Sequence, residues 1–324
     1  MRRLAFLLLV ALGGAAALLL AFAIAVRRPT PERVAFQPLQ RASAARLARD
    51  VHQLSEGFLP RDYDHPQVLE GAARYVERAL RASGAHVESQ RYAVRGHAYR
   101  NLIARFGPER GPRVIVGAHY DAFSIFGRLP GADDDASGAA GVLELARLLH
   151  GEALRRPVEL VAFTLEEPPA FGSAQMGSRV HADSLARAGV RVEAMLCLEM
   201  IGYFSPRQPW PGALLGMIYP RRGDFVVVVG LPRDGGLARR VKVAMRAAGG
   251  PRVYSFNGPA TMGTDASDHA SYWRHGFPAA MVTDTAFLRN PNYHAASDTA
   301  DTLDYARMAR VVDGVHNAVL ALAR

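Results

Sequence analysis

The sequence predicts an α/β fold: a central mixed, mostly parallel β-sheet flanked by helices on both faces, preceded by one N-terminal transmembrane or signal helix. Three observations predict it. Apolar, β-branched runs at 113–118, 158–164 and 192–198 carry few polar residues on either side, as strands covered on both faces do. Helical periods separate these runs, and alternating strands and helices build a parallel sheet. Finally, Met1-Arg2-Arg3 leads into an uncharged apolar stretch, residues 4–26, closed by Arg27-Arg28-Pro29.

That stretch reaches the roughly 20 residues a helix needs to cross a bilayer. Ala23-Ile24-Ala25 offers a small-x-small cleavage site, so residues 1–28 read as a signal anchor or a signal peptide. A basic start before the apolar run favours the N-terminus inside and an exported, periplasmic or extracellular bulk; cleavage would give a secreted form. Residues 29–45 hold three prolines and no steady apolar period, and read as a linker. Residues 44–55 and 66–82 read as helices; Val68, Leu69, Ala72, Val76, Ala79 and Leu80 share one face, and Pro66 suits a first turn. Residues 86–94 and 99–106 read as strands joined through Gly96. Strand 113–118 ends just before His119. A helix at 137–150, strand 158–164, a helix near 174–186 and strand 192–198 follow. Strand 225–229, a helix near 235–247, strand 279–283 and a helix at 304–323 complete the order.

The formal charge of +9 looks basic, but Lys242 is the only lysine and the arginines are spread along the chain. A nucleic-acid binder concentrates its cations on one face or in one run, so no nucleic-acid partner is expected. Cys197 is the only cysteine, which excludes an internal disulfide; its apolar neighbours predict a buried, inert thiol.

In parallel sheets ligands bind beyond the carboxyl ends of the strands. His119, Glu166, Glu167 and Glu199 all fall there. His119 and Asp121 form a His-x-Asp pair, in which a carboxylate can take the second ring N–H of a metal-binding histidine. Asp133-Asp134-Asp135 alone reads as capping for the helix that follows. Three adjacent aspartates exceed what a cap needs, however, and a divalent cation would relieve their repulsion. Glu166-Glu167 alone reads as a surface turn. Adjacent residues of an extended chain point to opposite sides, so the two carboxylates should differ in role. Glu199 closes an apolar run where an unpaired charge is costly, and His294 lies in a loop after the last strand. Jointly, two histidines and several carboxylates with no thiolate suit zinc, with manganese or cobalt as substitutes.

The order His-x-Asp, Gly-Ala-Asp-Asp-Asp-Ala-Ser-Gly, Glu-Glu, an acidic strand end and Tyr-His resembles the co-catalytic zinc peptidases of the M28 family, over roughly residues 46–324. The resemblance implies a zinc exopeptidase-like catalytic domain with two zinc ions. His119 would bind one and His294 the other, Asp134 would bridge them, and Glu167 and Glu199 would complete the ligands. Glu166 would be the general base, Asp121 would orient His119, and Tyr293 would help stabilise the oxyanion. The peptide between Asp134 and Asp135 becomes a candidate cis bond. Two features depart from the family pattern. Glu199 stands where an aspartate is usual, adding a methylene, about 1.5 Å of reach; the expectation is that strand 192–198 ends slightly farther from the metals and Glu199 still ligates. Pro168-Pro169-Ala170-Phe171 also separates Glu-Glu from Gly177-Ser178. Asp268-His269 matches a family segment and is expected to be structural.

The function so implied is metal-dependent hydrolysis of a peptide bond, releasing an N-terminal amino acid, or of a related amide. A zinc-activated water would attack and a glutamate would serve as base. The partners are then a peptide or small amide substrate and, through the N-terminal helix, a membrane. One alternative is a single-zinc, glutaminyl cyclase-like acyltransferase, but those relatives lose the second-metal histidine and His119 is present. The other is a catalytically inactive, membrane-tethered binding domain, whose mark would be lost ligands.

Overall fold

The computed structural model describes residues 2–29, 40–123 and 127–324, without the side chains of residues 2–11 and 15. In chain order the elements are α1 (Arg2–Arg27), α2 (Ala44–Ser55), α3 (Pro66–Ala82), β1 (His86–Val94), β2 (His97–Phe106), β3 (Arg113–His119), α4 (Gly138–Leu149), β4 (Val158–Phe163), α5 (Gly177–Arg187), β5 (Val192–Glu199), α6 (Ala213–Ile218), β6 (Phe225–Gly230), α7 (Gly235–Ala247), β7 (Arg252–Asn257), α8 (His269–Trp273), β8 (Ala279–Thr283) and α9 (Tyr305–Ala323).

The eight strands form one sheet in the order β1-β2-β4-β3-β5-β8-β6-β7. Strands β4, β3, β5 and β8 are parallel, β1 and β2 make an antiparallel hairpin against β4, and β6 and β7 run opposite to β8. The sheet is therefore mixed, with a parallel centre as the apolar runs predicted. Because side chains alternate across a strand, the central strands feed two cores. Val114, Val116, Leu160, Leu196 and Val282 pack with residues of α2, α3, α4, α7 and α9. Ile115, Val161, Phe163, Met195, Cys197 and Met281 pack on the other face with residues of α5 and α8. Cys197 is wholly buried and burial pushes its thiol well above the ordinary range, as its apolar setting predicted.

The sequence reading missed β7. Its inward positions are Val253, Ser255 and Asn257, so the apolar alternation that marks a half-buried strand is broken by two polar residues. Both make polar contacts with the end of α1. Asn257 Nδ2 donates to the Val26 carbonyl at 3.0 Å and Ser255 Oγ to that of Arg27 at 2.5 Å. Helix α5 begins at Gly177, three residues later than expected, because residues 168–176 form turns. The short helices α6 and α8 were also not foreseen.

The N-terminal apolar run is helical as α1, but among the described residues no helix is long and apolar enough to cross a membrane. The start of the run, and most of the 29–45 linker, lie outside the described side chains and residues.

Gly117 sits at the centre of β3, and a Cβ there would run into the Phe163 ring. Gly117→Ala should lower stability by about 1–3 kcal/mol, the usual cost of overpacking a core. Adding Phe163→Leu should recover part of the loss. Urea unfolding midpoints of the parent and the two variants check this; equal stability of Gly117→Ala and the parent would refute it.

Candidate metal centre

The carboxyl edge of the parallel strands gathers the predicted residues. His119 is the last residue of β3 and Glu199 the last of β5; Glu166 and Glu167 lie just beyond β4. Asp134 sits in the turn leading into α4, and His294 in the loop after β8. Asp134 lies between the histidines. Its Oδ1 is 3.3 Å from His119 Nε2, and its Oδ2 is 3.1 Å from His294 Nε2. Glu199 Oε2 is 3.7 Å from His119 Nε2, and Glu167 Oε1 is 3.4 Å from His294 Nε2. Two three-residue groups share Asp134: His119, Asp134 and Glu199, and Asp134, Glu167 and His294. Donor atoms each about 2.0–2.2 Å from one tetrahedral zinc lie roughly 3.3–3.6 Å from each other, close to the 3.1–3.7 Å between each histidine and its carboxylates. His119 Nε2 and Glu167 Oε1 are buried with no hydrogen-bond partner, as donors aimed at an ion would be.

Electrostatics agree with the distances. Burial pushes the Glu166 carboxyl well above its usual range and Glu167 up to about 7. Burial also opposes the ionised Asp134, but its close contacts with the His119 and His294 rings outweigh it and hold this carboxylate low. For His119, burial favours the neutral ring; the charge of Glu166 and contacts with Asp121, Asp134 and Glu199 overcome that and raise it well above the ordinary value. His294 rises to about 9 because its contacts with Asp134 and Glu167 outweigh its burial. Crowded carboxylates that pull protons onto histidines are groups a divalent cation would stabilise instead.

The neighbouring acids hold backbone. Asp133 accepts from Gly202 N at 3.0 Å and Asn290 Nδ2 at 2.8 Å. Asp135 Oδ1 accepts from the amides of Gly138 and Met200, both at 3.0 Å. Asp298 takes the amides of Asp133 and Asp134 at 3.0 and 3.1 Å. The triplet is thus divided: its outer members tie the turn to the end of β5, and Asp134 alone faces both histidines. The Asp134–Asp135 peptide is cis, as the resemblance implied.

Asp121 differs in detail from its expected role. The His119 Nδ1 atom lies 3.2 Å from the Asp121 backbone carbonyl and 3.5 Å from its carboxylate. The carboxylate instead accepts from the amides of Glu166 and Glu167, each at 3.1 Å, and so fixes the turn that carries both glutamates. Tyr293 stacks on His294 with ring centroids 3.8 Å apart, and Phe123 covers the opposite face at 3.9 Å. Ser267 Oγ donates to Glu199 Oε2 at 2.6 Å. Asp268 is wholly buried beside the cluster, and burial pushes its carboxyl up to about 7. Sequence reasoning missed Phe123, Ser267, Asn290 and Asp298. Asp298 lies four residues past His294, a spacing that could have flagged it; a lone phenylalanine, serine or asparagine carries no such signal.

The α/β sheet thus carries at its carboxyl edge a histidine–carboxylate cluster suited to divalent metal. The sequence model for "Peptidase family M28" matches residues 101–319, and the chain belongs to that family. It is 46% identical to the uncharacterized protein YfbL of Escherichia coli over 283 residues, 85% of this chain and 87% of that one. It is 31% identical to a probable leucine aminopeptidase of Trichophyton verrucosum, over 82% of this chain and 69% of that one. Solved structures with this fold include aminopeptidases and glutaminyl cyclases. The Porphyromonas gingivalis glutaminyl cyclase matches with a TM-score of 0.63 and 21% identity, covering 88% of this chain and 98% of that one.

Protons and metal compete for the same histidines. Because His294 is held protonated up to about pH 9, metal loading should weaken as pH falls below that value, and zinc uptake near neutral pH should release protons. Zinc added to chelator-stripped protein in dilute buffer should acidify it, and less so above pH 9. Uptake without proton release would contradict the assignment of these donors.

Proposed function

We propose that the chain is a membrane-tethered, zinc-dependent aminopeptidase that hydrolyses the amide bond after a free N-terminal residue. The observation that carries this reading is the pair of donor groups joined by Asp134, with Glu166 Oε2 3.9 Å from His119 Nε2. His119, Asp134 and Glu199 would hold one zinc ion; Asp134, Glu167 and His294 would hold a second. Zinc bound there would polarise the scissile carbonyl and acidify a water. Glu166 accepts a proton from the attacking water as its oxygen bonds to the carbonyl carbon. As the C–N bond breaks, Glu166 returns that proton to the leaving amine. Its high proton affinity, set by burial, suits both transfers. Asp121 keeps Glu166 aimed by holding its amide, and Tyr293 donates its hydroxyl to the oxygen that becomes negative. Burial keeps that phenol protonated across the working pH range.

The single-zinc, glutaminyl cyclase-like reading shares the scaffold, but the group around His119 favours two ions and hydrolysis. An inactive binding domain is disfavoured because the donor set is complete. The tether is supported by α1, whose Leu12, Leu18 and Leu20 are 62–74% exposed and call for an apolar cover. With the N-terminus inside, the catalytic domain lies outside the cytoplasm.

Three outcomes test the chemistry. Exhaustive chelation should abolish hydrolysis of aminoacyl substrates with a free amine, and zinc should restore it; activity in protein shown to be metal-free by elemental analysis would end the proposal. Glu166→Gln should retain metal and lose about 10²–10⁴-fold in kcat, since the amide fills the same space but cannot take the proton. A near-normal kcat would place the base elsewhere. Glu199→Ala should lower bound zinc from about two per chain toward one and cut activity sharply; full metal content with full activity would remove Glu199 from the ligand set.

A further inference from the structure

The edge of the sheet opposite the metal centre has its own chemistry. Strand register fixes which edge that is. Glu199 pairs with Thr283 at the metal-bearing end of β5 and β8. Thr283 also pairs with Val227 of the antiparallel β6, so Gly230 and its partner Asn257 lie at the far end. The end of α1 is fastened there. Asn257 holds the Val26 carbonyl, and Lys242 Nζ donates to the carbonyls of Arg27 and Arg28 at 2.6 and 2.5 Å. The Arg27 guanidinium lies 5.2 Å from the centre of the Tyr254 ring. The one lysine of the chain is thus buried as a clamp on the last carbonyls of a helix, where a cation is favoured.

Exposed arginines lie along this edge of the sheet. Arg155 and Arg191 precede β4 and β5, Arg28 follows α1, and Arg233, Arg239 and Arg240 rise from α7 and the turn before it; all six are exposed. The last three line a cleft of about 940 Å³ with Leu237, Ala247 and Pro278. The acids of the cleft are already committed. Glu193 is 3.1 Å from Arg240, and Asp234 is 3.9 Å from Arg233; Arg239 has no ion-pair partner among the described residues. The carboxylates of the metal centre lie at the opposite edge.

We propose that this arginine-bearing edge is a membrane-facing surface. Its guanidinium groups bind the phosphates of anionic lipid headgroups where α1 enters the bilayer, and the metal centre faces the aqueous side. Two observations select a lipid surface. The apolar helix ends on this edge with its leucines uncovered, and Arg28 just past its end reaches the Pro232 carbonyl, next to Arg233 of the arginine-lined cleft. Substrates would then be soluble peptides arriving from the water, not chains embedded in the membrane. The inference rests on the tether proposed above and is independent of the chemistry of the site.

Headgroup quenching tests it. The full chain is reconstituted into vesicles of phosphatidylcholine, alone or mixed with phosphatidylglycerol, each carrying a nitroxide-headgroup lipid. A fluorophore is placed at Gly236→Cys in the cleft, where an added Cβ meets open space, or at Ser297→Cys, exposed beside the metal centre. Native Cys197 is buried and does not compete for the label. The Gly236 label should be quenched in phosphatidylglycerol vesicles, less in neutral ones, and less at high salt; the Ser297 label should stay bright. Each exposed arginine near an anionic surface contributes roughly fivefold to binding, so Arg233→Glu with Arg239→Glu should cut the docked-to-undocked ratio by at least about 25-fold. Equal or greater quenching at Ser297 overturns the orientation. Quenching at Gly236 that ignores lipid charge and the double charge reversal overturns the headgroup contact. Inorganic phosphate that abolishes quenching beyond an equal ionic strength of chloride would make the cleft a soluble-anion site and also overturn it. Failure of the chain to float with vesicles after an alkaline wash removes the tether and this proposal together, whereas flotation with an unquenched Gly236 label removes the orientation alone.

Discussion

The structure depends on one electrostatic constraint: acidic side chains brought together out of water at the end of a parallel sheet. Asp134, Glu166, Glu167 and Glu199 are all nearly buried and surround His119. Such a group does not remain ionised without positive charge or donors in its midst. The carboxylates raise the proton affinity of both histidines, and a divalent cation held among them would answer the same demand.

Meeting the constraint has shaped the surroundings. Three acids around the shared centre hold main chain: Asp121 on the two glutamate amides, Asp298 on the turn of Asp133 and Asp134, Asp135 on Met200 at the end of β5. Arg61 works on the same side. Wholly buried, it donates to the carbonyls of Tyr120, Pro130 and Gly131 and so ties the segment after β3 to the turn before α4. Loops that carry the histidine and carboxylate donors are thereby held by buried hydrogen bonds, as a site requiring sub-ångström placement needs. Phe123 and Tyr293 complete the arrangement by fixing the plane of His294 between two rings.

The two edges of the sheet carry different chemistry. His119, Glu166, Glu167 and Glu199 lie where the parallel strands end, and the cleft of Arg233, Arg239 and Arg240 lies toward the edge where they begin.

Sequence alone determined the parallel centre of the sheet, since short apolar runs flanked by helical periods admit few other packings. It also determined the inventory of donors, because histidine and carboxylate at strand ends have few other uses in that combination. The M28 pattern then distinguished Asp134 from its neighbours, which the residue types could not do, and the structure gave the physical basis for that choice. Only the tertiary structure decided what adjacent like residues do: that Asp133 and Asp135 serve the backbone while Asp134 faces the histidines, and that the Asp121 carboxylate braces a turn 45 residues away more closely than it holds His119. It alone revealed β7, whose inward serine and asparagine erase the expected alternation because they serve α1, more than two hundred residues earlier. The division has a physical cause. Period and propensity are set by neighbours in the chain, whereas the partner of a buried polar group is set by which segments packing brings within hydrogen-bond reach, and a linear sequence does not record that distance.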